Sequence, residues 1–192
     1  DIYGRVAVLQ MHSLGMYADK EMIISALKEV LGSELTAVYD KSAGTLPERE
    51  QQERTNSFLW GEGRPEVVKE YGYRFKVDFE KGQKTGFFLD QRENRKLLET
   101  YARDREVLNM FCYTGGFSVY ALKSASRVVS VDSSGPAMDL SRENVELNFP
   151  GTPKHEAIVT DAFEYLNDIK DQFDLIILDP PAFAKSHRVL NN

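Results

Sequence analysis

From Glu106 to Asp179 the chain repeats one unit: a short aliphatic run, then a stretch with helical spacing. The runs are "EVLNMF", "RVVSVD", "EAIVTD" and "FDLIILD", and the helical stretches begin near Gly116, Pro136 and Ala162. Strands that alternate with helices through short connections pair in parallel, as βαβ units. Pro136 suits a first helical turn. A helix over "DQRENRKLLETYA" precedes the first run, with Asp90 and Glu93 spaced as a capping box and Leu97, Leu98 and Tyr101 as its apolar face. Residues 89–192 are therefore expected to form an α/β, doubly wound sheet.

Residues 1–88 follow another grammar. "GRVAVLQMHS" (4–13) and "ELTAVYD" (34–40) are strand-like, and "ADKEMIISALKEVLG" between them has helical spacing in Met22, Ile23, Ala26, Leu27, Val30 and Leu31. Asp19 suits the start of that helix and Gly32 its stop. Lys41 to Asn56 has no periodicity and is expected to be a loop. "YRFKVDF" (73–79) alternates like a half-buried strand, and "KTGFFLD" is expected to add a short one. The order predicts a small α+β domain, with a boundary near residue 88.

In a doubly wound sheet, ligands bind beyond the carboxyl ends of the strands. The first strand runs into "NMFCYTGGFS", and the others end at Asp132, Asp161 and Asp179. Gly115 and Gly116 let a ligand approach the backbone and expose amides at a helix start; a plain strand-to-helix turn is the alternative. The G-x-G-x-x-G pattern of dinucleotide folds is not matched, and no G-x-x-x-x-G-K-[ST] occurs. Asp132, 17 positions after Gly115, is placed to accept ribose hydroxyls. Its alternative, and that of Asp161, is a helix N-cap. After Asp179 the pair Pro180 and Pro181 removes two amide donors, so carbonyls there are left to face a ligand, or the turn simply ends the strand.

Composition excludes some classes. The 192 residues are 42% hydrophobic and 28% charged, an ordinary globular balance. No aliphatic run approaches the roughly 20 residues that span a bilayer. The single cysteine, Cys112, rules out an internal disulfide and fits a reducing, cytoplasmic setting. His12, His155 and His187 lack ligand spacing, so no metal is expected. A net charge of −6 argues mildly against a nucleic-acid partner. The missing initiator Met suggests an excised fragment.

"KTGFFLDQRENR", "VLNMFCYTGGFSVYAL", "VVSVDSS", "SRENVELN" and "FDLIILDPPAFAKS" together resemble the S-adenosylmethionine-dependent methyltransferases of bacterial large-subunit ribosomal RNA, nearest the cytosine C5 type. The resemblance covers nearly the whole chain. It implies a PUA domain, a small central α+β domain and a class I methyltransferase domain with a Rossmann-like sheet. This chain would hold the central domain (1–88, with a possible RNA contact) and the first part of the methyltransferase domain (89–192), truncated at both ends.

The resemblance also implies roles. Asn109, Phe111, Tyr113, Gly115 and Gly116 would surround the methionine part of S-adenosyl-L-methionine. Asp132 would take the ribose, with Ser133 also binding cofactor, and Asp161 would lie beside the adenine. The segment from Asp90 to Arg92, with Gln91 and Arg92 binding cofactor, would be a cofactor-side lid. Asp179 and Pro180 would form the wall where methyl donor and base meet. Ala182 and Phe183 fit the ribosomal D-P-P-x-F pattern. The family's nucleophilic cysteine is expected beyond Asn192, and Cys112 is expected to be a small loop or core residue. Without further strands, "DLIIL" would be an apolar edge.

The partner implied is large-subunit ribosomal RNA, and a homodimer is left open. Guanine N7 or another RNA base is the alternative target. From other classes, the rivals are an NAD-dependent oxidoreductase and an RNA-binding module on a non-catalytic Rossmann-like scaffold. For the latter, Arg92, Arg95, Lys96, Arg103 and Arg105 would touch phosphate, or form a solvated face.

Overall fold

The computed structural model describes residues 1–47, 54–63 and 67–181. Two compact units divide the chain: residues 1–70 with 75–90, and residues 71–74 with 91–192.

In the first unit a four-stranded sheet has the order β1 (Ile2–Tyr3), β2 (Val6–Leu9), β3 (Ala37–Asp40) and β4 (Ser57–Gly61). β2 and β3 are parallel, and the outer pairs are antiparallel. A parallel pair needs a crossover, supplied by α1 (Leu14–Ala18) and α2 (Lys20–Leu31). Ile24, Leu27 and Leu31 of α2 pack with Ala7, Leu35 and Val38. Met22, Ala26 and Val30, expected on that face, instead lie on the exposed side of the helix. The first expected strand is shorter than 4–13, because Ser13 caps α1 by accepting Met16 N. Of the expected loop at 41–56, residues 48–53 lie outside the described ones.

Two expectations fail before residue 90. "YRFKVDF" is a strand only over β6 (Tyr73–Phe75), which follows β5 (Val68–Glu70). "KTGFFLD" is not a strand: Lys84 and Gly86 have φ of +46° and +111°. The backbone there folds back so far that a Cβ on Gly86 would sit 2.8 Å from Phe79 Cα. The Tyr3 hydroxyl donates to Phe87 O at 3.1 Å and accepts from Phe87 N at 3.2 Å. A side chain thus takes the backbone bonds that a strand neighbour would have taken.

The second unit begins with α3 (Arg92–Tyr101) and continues with β7 (Glu106–Met110), α4 (Gly116–Leu122), β8 (Arg127–Asp132), α5 (Gly135–Asn148), β9 (His155–Val159), α6 (Ala162–Asp168) and β10 (Leu175–Leu178). All four strands are parallel, in the order β10-β7-β8-β9. Leu108, Met110, Val129 and Val131 share one sheet face, where Ala162 and Tyr165 of α6 cover them. Asn109 and Ser130, one residue out of phase with these, point to the opposite face, where Ser118 of α4 meets them. Helices therefore lie on both faces, the doubly wound arrangement. Among the described residues β10 is an edge strand, with Ile176 and Leu178 more than half exposed.

α3 departs from its reading. The Asp90–Glu93 capping box does not form: Gln91 occupies the cap position without a side-chain cap bond, and Glu93 accepts the Tyr71 hydroxyl instead. Leu98 is buried, but Leu97 and Tyr101 are each 54% exposed and Arg95 is buried at 2%. Arg95 is therefore not part of a solvated basic face. No helix among the described residues is long and apolar enough to cross a membrane.

Candidate active site

The parallel strands finish level with one another. Met110 of β7 lies opposite Leu178 of β10 and Val131 of β8, and Asp132 lies opposite Val159 of β9. The chain runs outward from β7 through β8 to β9, then returns to pair β10 on the other side of β7. The strand order therefore reverses at β7, and the crevice at such a switch point is where open α/β sheets bind ligands. The glycine loop after β7 and Asp179 after β10 flank this crevice, with Asp132 and Asp161 at the next two strand ends.

The loop has an unusual backbone. Phe111, Tyr113 and Gly115 have φ of +55°, +49° and +76°, with Cys112 and Thr114 at negative φ between them. Non-glycine residues seldom adopt the left-handed region, which costs about 1–3 kcal/mol when surroundings enforce it. Alternation of this kind turns successive amides toward one side. Asp132 takes one of these amides: Tyr113 N donates to Oδ2 at 2.9 Å, while Ser134 N donates to Oδ1 at 2.9 Å. The half-buried carboxylate is thus a brace between two strand ends before any ligand is considered. It is not the α5 cap, a role held by Ser134, which accepts Ala137 N. Asp161 is a cap: its Oδ1 accepts Phe163 N at 2.8 Å and Glu164 N at 3.2 Å.

Gly115 caps α4 in the left-handed region, and a Cβ there would lie 2.3 Å from Ser141 Oγ. Only glycine fits. Asn144 of α5 donates to Thr114 O at 3.0 Å, a further tie on the loop. Ser133, Asp179 and Pro180 are exposed, Gly116 is buried, and Ala182 and Phe183 lie outside the described residues.

A family model described as S-adenosylmethionine-dependent methyltransferase matches residues 22–192. The chain belongs to that family. Ribosomal RNA large subunit methyltransferase I of Vibrio vulnificus is 41% identical over 199 residues, covering 100% of this chain and 50% of that protein. The Escherichia coli protein of the same name is 39% identical over 192 residues, covering 97% and 48%. The chain thus spans about half the length of the curated relatives it matches. Among solved structures, SMU.776 complexed with SAH superposes with a TM-score of 0.82 at 30% identity, covering 96% of this chain and 48% of that one.

The donor set fits the family's cofactor. S-adenosylmethionine carries a cationic sulfonium and ribose hydroxyls but no pyrophosphate, and the strand ends here offer carboxylates rather than basic groups. Gln91 and Arg92, at the start of α3, make local bonds: Asn94 donates to Gln91 Oε1 at 2.8 Å, and Arg92 Nε donates to Glu93 Oε1 at 3.2 Å.

Cys112 is unsuited to nucleophilic work. It is 7% exposed with Sγ 3.2 Å from Met138 Sδ, and burial together with the Asp132 carboxylate pushes its thiol well above the ordinary range. A reactive cysteine needs the opposite shift.

Four residues carry a signal that strand-end reasoning missed in part. Asn109, Ser118, Ser130 and His155 are joined by hydrogen bonds through the sheet interior. Their sequence sign is a single polar residue inside an apolar run, as in "VLNM" and "VVSV". Burial and the nearby Arg142 push His155 down to about 4, while Glu156 pulls it up. A histidine lowered from its unfolded value near 6.5 stabilises the fold above that value and loses the contribution as pH falls toward 4. Acidification across that window should cost the unsubstituted chain roughly 2–3 kcal/mol more than a His155→Gln chain. Urea unfolding of both from pH 7 to pH 4 would measure this, and parallel curves would refute it.

Proposed function

We propose that this chain carries the cofactor pocket of an enzyme that transfers a methyl group from S-adenosylmethionine to a base of large-subunit ribosomal RNA, with cytosine C5 as the target atom. The observation that carries the reading is the left-handed glycine loop and Asp179 at the switch point, with Asp132 and Asp161 at the next two strand ends on the same edge. Names of the relatives support the RNA substrate. Gly115, Gly116, Phe111 and Tyr113 are assigned to the methionine side, Asp132 and Ser133 to the ribose, Asp161 to the adenine side, and Gln91 and Arg92 to a lid. Asn109 belongs to the loop's support.

The bound cofactor supplies an activated methyl group, and transfer is an in-line displacement governed by positioning and electrostatics. In that scheme the chain's own residues orient. Asp132 holds the loop and offers its remaining lone pairs to hydroxyls. Asp179 and Pro180 form the wall against the target base. Cytosine C5 is a weak nucleophile and requires prior addition of a thiolate to the ring. The buried, neutral Cys112 is a poor candidate, so the thiolate is assigned to a cysteine outside residues 1–192. The domain organisation proposed is a small α+β domain over 1–88 and the methyltransferase part over 89–192.

Calorimetric titration of the chain with S-adenosylhomocysteine and with NAD tests the cofactor assignment. Binding of the first and not the second is expected; the reverse would make it an oxidoreductase. Mass spectrometry of ribosomal RNA methylated by the whole protein would then separate 5-methylcytosine from 7-methylguanine. Detection of 7-methylguanine alone would overturn the C5 assignment.

A further inference from the structure

Asn109, Ser118, Ser130 and His155 stand on four elements, β7, α4, β8 and β9. Their polar atoms are linked end to end. Asn109 Nδ2 donates to Ser118 Oγ at 2.9 Å, Ser118 Oγ lies 2.6 Å from Ser130 Oγ, and Ser130 Oγ lies 2.8 Å from His155 Nε2. The first three are at most 1% exposed. Buried polar groups contribute little net stability over well-packed apolar ones and are costly when any bond is missing. Val107 and Val128, which share this sheet face, show that an apolar side chain suits it. Stability alone therefore gives no reason for a polar chain here.

Its position gives one. Asn109 lies just before the glycine loop and Ser118 in the first turn after it, so their bond closes the base of the loop. Above this base Phe111 and Tyr113 are held in left-handed geometry, which persists only where surroundings impose it. We propose that Asn109, Ser118, Ser130 and His155 are positioning residues that hold the glycine loop in its cofactor-binding shape, with His155 as the terminal acceptor. This rests on the assignment of the loop to S-adenosylmethionine.

The polarity of the chain follows from its donors. With the Asn109 amide donating to Ser118, the arrangement that uses both hydroxyl protons within the chain runs from Ser118 to Ser130 and from Ser130 to Nε2. His155 is then neutral with its proton on Nδ1. In this arrangement both hydroxyl protons are used within the chain and the far end acts as the acceptor.

The test is titration of S-adenosylhomocysteine into the full chain, paired with thermal unfolding of each variant. Asn109→Val and Ser130→Ala keep apolar packing and remove the links; each should weaken binding about tenfold or more, a difference of ~1.4 kcal/mol, alongside the lower melting temperature that the partners left unpaired impose. His155→Gln, whose carbonyl can accept from Ser130, should stay within about threefold of the parent, whereas His155→Leu should lose affinity like Asn109→Val. The histidine pair, half-buried at a strand start, decides the matter if the inner variants do not fold. Val129→Ala, on the opposite sheet face, should lower the melting temperature without the affinity loss. Equal affinity of His155→Leu and the parent would overturn the inference while the cofactor assignment stands. No binding by the parent would overturn both.

Discussion

A chain carrying Gly115→Ala is expected to lose roughly 2–4 kcal/mol of stability and melt about 5–15 °C earlier, with S-adenosylhomocysteine binding reduced to the detection limit. Two effects add. The left-handed φ of +76° penalises any side chain, and the new Cβ would stand 2.3 Å from Ser141 Oγ and 3.1 Å from its Cβ. Since α5 carries Ser141 and packs beside α4, relief requires the loop or the helix to move. The Ser141 hydroxyl is buried without a hydrogen-bond partner among the described residues, so Ser141→Ala alone should be neutral or slightly stabilising. Combined with Gly115→Ala it removes the nearest contact and leaves the backbone strain. The double variant should therefore recover part of the melting temperature. Calorimetry and thermal unfolding of the three variants measure this, and an unperturbed Gly115→Ala chain would refute the steric argument.

Replacing Asp132 should also cost both binding and stability. Its two oxygens hold Tyr113 N and Ser134 N, each at 2.9 Å. Asp132→Ala leaves two amides without that acceptor and releases Tyr113 from the brace that offsets its strain; a loss of about 2–4 kcal/mol is expected. Asp132→Asn retains one acceptor and turns an NH2 group toward the other amide, so it should lie between Ala and the parent in stability. If the carboxylate also receives ribose hydroxyls, both variants should lose at least about tenfold in S-adenosylhomocysteine affinity. Unchanged affinity in Asp132→Asn, with lowered stability, would leave Asp132 as a brace alone.

Much of the second unit was legible before its fold was known. "RVVSVD" spans the whole of β8, "EVLNMF" and "FDLIILD" contain β7 and β10 with one and three residues to spare, and "EAIVTD" covers β9 except His155. Those boundaries depend on local period and on helix starts such as Ser134 and Asp161. The first unit was less legible. "KTGFFLD" reads as a short strand, but Tyr3, 84 positions away, takes the backbone bonds of Phe87. On α2 and α3 the apolar residues exceed what the core can cover. Periodicity alone could not choose Ile24 over Met22, or Leu98 and Arg95 over Leu97.

The sequence by itself determined a parallel sheet with a glycine loop and three acids at successive strand ends, because strand–helix alternation and turn residues are local properties. The tertiary structure decided what each of those groups is already holding. Asp132 grips an amide 19 positions earlier in the chain, and Ser130 meets His155 across 25. The left-handed turns at Phe111 and Tyr113 have no sequence signature, since neither residue favours that geometry. They exist because parallel pairing brings distant acceptors level with the loop, and hydrogen bonds formed there outweigh a local backbone preference of about 1–3 kcal/mol.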